Sequence, residues 1–251
     1  MHLEDNRRLL IESLESGVLR RKFLSSMLLF VAGVATAKAK IIFGGMPWFK
    51  DPAVLPDPVV AGGWTFFTAD EAETVEAISD RLIPADELGM GGKEAGCAVF
   101  IDRQLSGDYG KAATQYRLGE FKKGTPQQGP QFSDTPAERY RKGLAALDSH
   151  CRESFRQRFV AMSPDRQDAL LSQIETGQVA LGEIEPKAFF NMVLQNVREG
   201  YFADPIYGGN KDMAGWKMLG FPGARYDFRD VIGRRGEDLK IIPISLIGRD
   251  G

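Results

Sequence analysis

The chain has 251 residues, 43% apolar and 26% charged, and a formal net charge of -2, which suits one compact domain with or without appended ends. No basic surplus is available to neutralise nucleic-acid phosphates, so no nucleic acid is expected as a partner. Two cysteines, Cys97 and Cys151, and two histidines, His2 and His150, are too few for a c-type haem attachment, a four-thiolate iron–sulfur cluster or a recognisable zinc site.

The first element is a leader. Arg20-Arg21-Lys22-Phe23-Leu24 precedes an apolar stretch, residues 25 to 37, padded with Ala, Gly, Ser and Thr. A membrane-spanning helix needs about 20 mostly apolar residues, so this stretch is too short and weak for a permanent anchor. Ala35-Thr36-Ala37 supplies a small-x-small cleavage pattern, and the paired arginine with Phe23 and Leu24 resembles a bacterial twin-arginine signal. Two planar, permanently charged guanidiniums can each meet a receptor carboxylate in a fixed fork, which lysine cannot reproduce. Residues 1–37 are therefore read as a twin-arginine signal peptide, with Arg20, Arg21, Phe23 and Leu24 as the export signal, the twin-arginine translocase as a partner and the periplasm as the destination. There Cys97 and Cys151 could pair, closing a long loop that contributes roughly 4 kcal/mol. Such a substrate folds beforehand in a reducing compartment, and both states stay open.

Residues 38–66 are rich in Pro, Gly and aromatics without a period and read as an extended linker or arm. Helices follow in residues 67–251. The first covers Ala69 to Leu82, with a Thr68/Glu71 capping box and Ala72, Val75, Ile78 and Leu82 on one face before Pro84. A second is expected over residues 95 to 105, with Val99, Ile101 and Leu105 apolar. Residues 106–134 are polar and Gly-rich, with room for a short helix within 109–122. Thr135-Pro136-Ala137-Glu138 starts a longer helix carrying Tyr140, Leu144, Leu147, Cys151 and Phe155 at helical spacing. Ser163-Pro164 opens the next, which Gly177 closes. Pro186 opens the last, with Phe189, Phe190, Val193, Leu194 and Val197 toward a core. Residues 239 to 246 read as one extended segment that Pro243 confines to an edge or a surface arm. The fold class is mainly α, a single irregular helical domain with long Gly/Pro-rich loops and little or no sheet.

No catalytic constellation stands out. The glycines at 89 to 96 miss both the phosphate-loop spacing and the dinucleotide fingerprint, and there is no Gly-x-Ser-x-Gly elbow or His-Glu-x-x-His helix. His150 and Cys151 are adjacent on a helix, where neighbouring side chains diverge.

Residues 199 to 223 run Glu-Gly-Tyr-Phe-Ala-Asp-Pro-Ile-Tyr-Gly-Gly-Asn-Lys-Asp-Met-Ala-Gly-Trp-Lys-Met-Leu-Gly-Phe-Pro-Gly. Turn formers alternate here with bulky aromatics, the residue types that anchor interfaces. Tyr201, Phe202, Asp204, Tyr207, Asn210, Trp216 and Phe221 form a candidate partner surface, unless the aromatics close the domain's own core. Oxygens of Asp204, Asn210 and Asp212 are a weaker candidate for calcium. The segment resembles the hallmark of the gluconate 2-dehydrogenase subunit 3 family in its Gly-x-x-x-Asp-Pro-x-Tyr-Gly-Gly-Asn run, its Trp and its Leu-Gly-Phe-Pro-Gly run. The capped helix at Thr68, the Arg81-Leu82-Ile83-Pro84 exit and the leader also fit. The resemblance implies a subunit without catalytic residues or cofactor of its own, exporting a large FAD-containing dehydrogenase subunit, with a multihaem cytochrome c subunit completing the complex. The alternative is an independent periplasmic enzyme or ligand-binding protein that folds around its own cofactor.

Overall fold

The computed structural model describes residues 56–248, with 61, 116–118, 123, 129 and 130 excepted. The leader, with Arg20, Arg21, Phe23 and Leu24, and residues 38–55 of the linker lie outside the described residues. Six α-helices occur among the described residues: α1 (Ala69–Leu82), α2 (Cys97–Ser106), α3 (Pro136–Phe155), α4 (Pro164–Thr176), α5 (Pro186–Phe202) and α6 (Ala214–Leu219). Short 3-10 turns punctuate the loops, and bridges between extended residues are isolated, so the mainly-α class stands without a sheet among the described residues.

Helix starts follow the local chemistry. Thr68 and Glu71 exchange bonds at the head of α1, and Thr135 and Glu138 do the same at α3, satisfying amides that have no intrahelical partner. At α5 the cap is the Glu185 carboxylate, which accepts from the Lys187 and Ala188 amides. Ser163 makes no side-chain cap bond; its carbonyl takes the Arg166 and Gln167 amides instead. Gly177 ends α4 with φ 72°, and Arg156 ends α3 in the same left-handed region.

Helix α5 is the hub, packing against α1, α2, α3, α4 and α6. It buries Phe189, Phe190, Met192, Val193, Val197 and Tyr201. Gly143 lets α3 approach it, because a Cβ there would run into the Phe189 ring. Arg81 at the end of α1 forks onto Asp168 of α4 through Nε and Nη2, both at 2.7 Å. That bond, and the charge behind it, holds the Asp168 carboxyl below the usual aspartate range.

Three expectations need correction. Helix α2 begins at Cys97, because Gly96 precedes it at φ 80°, and its buried face takes Phe100 while Val99 is only half-buried under the Gly208 turn. No helix forms among the described residues of 109–122: the Gly110 amide donates to Gln104, its carbonyl accepts from Ala137, and Ala112 has φ 53°. The tail is not extended throughout 239 to 246. Lys240 sits at φ 45°, and the extended part begins near Pro243, pairing with Gly223 through Ile244. Cys97 and Cys151 are both free and buried, with no bond joining them.

The end of the linker is pinned to the core. Asp102, fully buried on α2, accepts the backbone N–H groups of Thr65 (2.9 Å), Phe66 (2.9 Å) and Phe67 (2.8 Å), with the Thr65 hydroxyl and Arg103 completing its shell. Arg141 stacks 4.1 Å over Phe66 and bonds both its carbonyl and Glu71. Phe67 thereby enters the core beside Tyr140.

Candidate functional site

The segment after α5 is a frame of unusual backbone. Asn210, Asp212 and Met213 all have left-handed φ, at 48°, 55° and 56°. Each such non-glycine residue costs roughly 1–2 kcal/mol unless its surroundings hold it. The hold comes from the Asn210 side chain, which is fully buried. Its Nδ2 donates to the Ala203 carbonyl and its Oδ1 accepts the Gly215 amide, each at 2.8 Å, so one amide ties the exit of α5 to the start of α6. Gly209 presses against the Gly200 backbone of α5, where a Cβ has no room. The Lys211 amide reaches the Ala95 carbonyl at 3.1 Å, fastening the frame to the loop before α2.

Asp204 fastens its other side. One carboxylate oxygen caps the Pro205–Tyr207 turn through the Ile206 amide at 3.0 Å, and the other takes the Leu246 amide of the tail at 2.8 Å. Burial pushes this carboxyl above the usual aspartate range, against the pull of those two bonds. The tail also pairs through the Ala224 amide and the Ile244 carbonyl at 2.7 Å, and the linker pairs through the Val59 amide and the Ile206 carbonyl at 3.0 Å.

On this frame the sequence-derived candidates divide. Tyr201 and Trp216 are buried: the Tyr201 hydroxyl donates to the Met90 carbonyl and the Trp216 indole N–H to the Phe202 carbonyl, each at 2.8 Å. With Asn210 and Asp204 they are the scaffold rather than the surface. Phe202, Tyr207 and Phe221 are exposed at 37%, 37% and 46%. Phe202 and Phe221 flank Trp216: the Phe221 ring meets it edge-on at 5.3 Å, and the Phe202 ring lies against Gly215 beside it. Met218 and Leu219 of α6 are exposed next to them in the chain, and most large apolar side chains left exposed among the described residues lie from Phe202 onward. Solvated faces rarely carry apolar groups in such density; covered ones do.

Both Asp204 oxygens and the Asn210 oxygen accept backbone amides, and no group of three or more Cys, His, Asp or Glu side chains converges on a metal position among the described residues. The glycine-rich loop before α2 spends its amides internally: Gly92 donates to Ile83, Ala95 to Gly91, Gly96 to Lys93 and Cys97 to Gly92. These amides do not fit a flavin or nucleotide pyrophosphate, which needs free N–H groups pointing at it. His150 stacks edge-on with Phe155 while Cys151 is buried. Burial drives the Cys97 thiol up to about 12 and the Cys151 thiol up to about 11, the reverse of what a nucleophile needs.

Two polar clusters were not read from sequence. One is Asp102; the other joins the Tyr140 and Tyr109 hydroxyls on Asn196 Oδ1 at 3.0 and 3.2 Å, with Asn196 Nδ2 donating to Glu199. Asp102 had a signal, since helical spacing puts it on the buried face of α2 with Ala98 and Leu105.

A family model described as gluconate 2-dehydrogenase subunit 3 matches residues 69–223, from the first residue of α1 to the glycine that pairs with the tail. No curated protein and no solved structure matches the chain.

Proposed function

The chain belongs to the gluconate 2-dehydrogenase subunit 3 family, and from that premise we propose that it is the small, non-catalytic subunit of a periplasmic FAD-dependent sugar or sugar-acid dehydrogenase complex, carrying the twin-arginine signal that exports the flavoprotein. Family membership implies a partner dehydrogenase complex. What supports docking to that partner is the set of exposed apolar side chains Phe202, Phe221, Met218 and Leu219 on a frame whose left-handed residues are locked by Asn210, while the export reading rests on the Arg20-Arg21 leader. A surface that gains its shape from backbone strain is prepared before its partner arrives, which lowers the ordering cost of association. In this reading FAD sits in the large subunit and haem in a cytochrome c subunit. The small subunit supplies folding support and the Arg20-Arg21 tag.

The test is co-expression of the large flavoprotein subunit with this chain in a twin-arginine-competent bacterium, comparing wild type with Arg20→Lys/Arg21→Lys and with Phe202→Asp/Phe221→Asp. The tag variant should strand both subunits in the cytoplasm while leaving them bound; the face variant should separate them. A flavoprotein that reaches the periplasm in active form with the tag variant, or a purified chain that turns over substrate alone with its own flavin, overturns the proposal.

A further inference from the structure

The tail is fastened at two points, each two residues from an exposed phenylalanine. At one, Ile244 pairs with Gly223, two residues after Phe221: the Ala224 amide donates to the Ile244 carbonyl at 2.7 Å, and the Ile244 amide donates to the Pro222 carbonyl at 3.3 Å. At the other, the Leu246 amide donates at 2.8 Å to the carboxylate of Asp204, two residues after Phe202. Ser245 then closes a tight turn: its amide and its hydroxyl both donate to the Gly248 carbonyl at 3.0 Å, and its hydroxyl oxygen accepts the Ile247 amide at 3.1 Å.

For a strap that only finished the fold, the inward and outward residues are reversed. Pro243 and Ser245 are buried and Ile244 and Leu246 half-buried, while Ile242 and Ile247 are 67% and 41% exposed. In extended backbone a slip of one residue exchanges the two faces. The bonds to Gly223 and Asp204 instead hold the register that leaves these isoleucines in water, and so forgo the gain of burying them. Residues 242–247, Ile-Pro-Ile-Ser-Leu-Ile, carry no charged side chain, as the buried centre of a protein interface requires.

We propose that residues 242–247 are a second strip of the docking surface, with Ile242 and Ile247 seated against an apolar patch of the large dehydrogenase subunit. The strip rests on the docking reading given under the proposed function, and its occupant follows from it. The family implies a partner dehydrogenase complex, and the strip is tied to the backbone that carries Phe202 and Phe221. It lies beyond the residues that the family model matches. Because its register is fixed beforehand, little ordering is left to be done on association.

The experiment measures the Kd of the full chain for the large flavoprotein subunit by biolayer interferometry, beside thermal melts and sedimentation of the free chain. Ile242→Asp/Ile247→Asp should raise Kd by about tenfold or more at an unchanged melting temperature, since both side chains are exposed in the free chain. Ile242→Ala/Ile247→Ala, which removes apolar area without adding charge, should raise Kd by about fivefold; it decides the matter should the aspartates disturb folding. Undiminished affinity in the alanine pair, or in a folded aspartate pair, while Phe202→Asp/Phe221→Asp separates the subunits, overturns the strip and leaves the docking reading standing. Undiminished affinity in the phenylalanine pair as well overturns both. A free chain that sediments as a dimer, and that the isoleucine substitutions return to monomer, assigns the strip to a second copy and overturns the proposal.

Discussion

Replacing Asp102 tests whether the linker is held by one buried carboxylate. Three backbone N–H groups, a hydroxyl and a guanidinium converge on it. Hydrogen bonds to a charged group contribute about 1.5–3 kcal/mol each, but they are not additive here. The arm can swing its amides into water, so the loss is capped by the cost of detaching Phe66 and Phe67 from the core. Asp102→Ala should therefore cost about 3–5 kcal/mol, as for breaking a buried charge network, out of a total of about 5–15. Asp102→Asn, which keeps the volume but turns an amino group toward donors, should cost about 2–3 kcal/mol. The pH dependence sharpens the test. Burial pushes this carboxyl up, the bonds from Thr65, Phe67 and Phe66 outweigh it, and its pKa ends below the ordinary aspartate value. A depressed folded pKa contributes stability that is present above the unfolded value near 3.9 and lost as pH falls through the folded one. Urea unfolding of wild type and Asp102→Asn should thus show a gap that is full at neutral pH and closes in acid. A loss below about 1 kcal/mol for Asp102→Ala, or a gap that is flat with pH, refutes the reasoning.

Other outcomes follow from the same coordinates. Asn210→Ala should cost about 3–5 kcal/mol in urea unfolding, because two buried backbone groups lose their partner and alanine resists φ 48°; Asn210→Gly should recover about 1 kcal/mol of that. Gly143→Ala sets a helix-propensity gain of up to about 1 kcal/mol against overpacking of the Phe189 ring at about 1–3 kcal/mol, so a net destabilisation is expected in thermal melts. Asp204→Asn should free the tail, read as faster hydrogen exchange at the Leu246 amide and faster tryptic cutting at Arg225 and Arg229. Because burial raises the Asp204 carboxyl, its stabilising contribution is present in acid and lost as pH rises through the folded pKa, the opposite sign to Asp102. Ellman's reagent should find both thiols silent in the folded chain and reactive in denaturant without reductant; silence in denaturant would mean a disulfide.

The helices were legible because their signals are local. A capping box needs only Thr68 and Glu71, or Thr135 and Glu138, and the stripe from Tyr140 to Cys151 needs only its spacing. What failed to show was decided at long range. The break in residues 109–122 comes from Gly110 bonding to Gln104 and Ala137, partners that no window on that stretch contains. Likewise Glu185 caps α5 with a side chain that sequence rules rank below Ser, Thr, Asp or Asn.

The turn-forming segment shows why motif density and exposure must be separated. From spacing alone, all its aromatics look alike, and so do Asp204 and Asn210. Those the fold buries also place their polar atoms on backbone partners inside. The Trp216 indole, the Tyr201 hydroxyl and the Asn210 amide do, and are buried; Phe202 and Phe221, which would gain from burial, are left at the surface by the frame. The buried set therefore builds the left-handed frame and the exposed set uses it. A substitution in the first group should cost stability as well as partner binding, and one in the second should cost binding alone. A Phe221→Ala chain that melts with Trp216→Ala rather than with wild type would mean that the exposed ring belongs to the frame, and the docking surface would then have to be sought elsewhere on the domain.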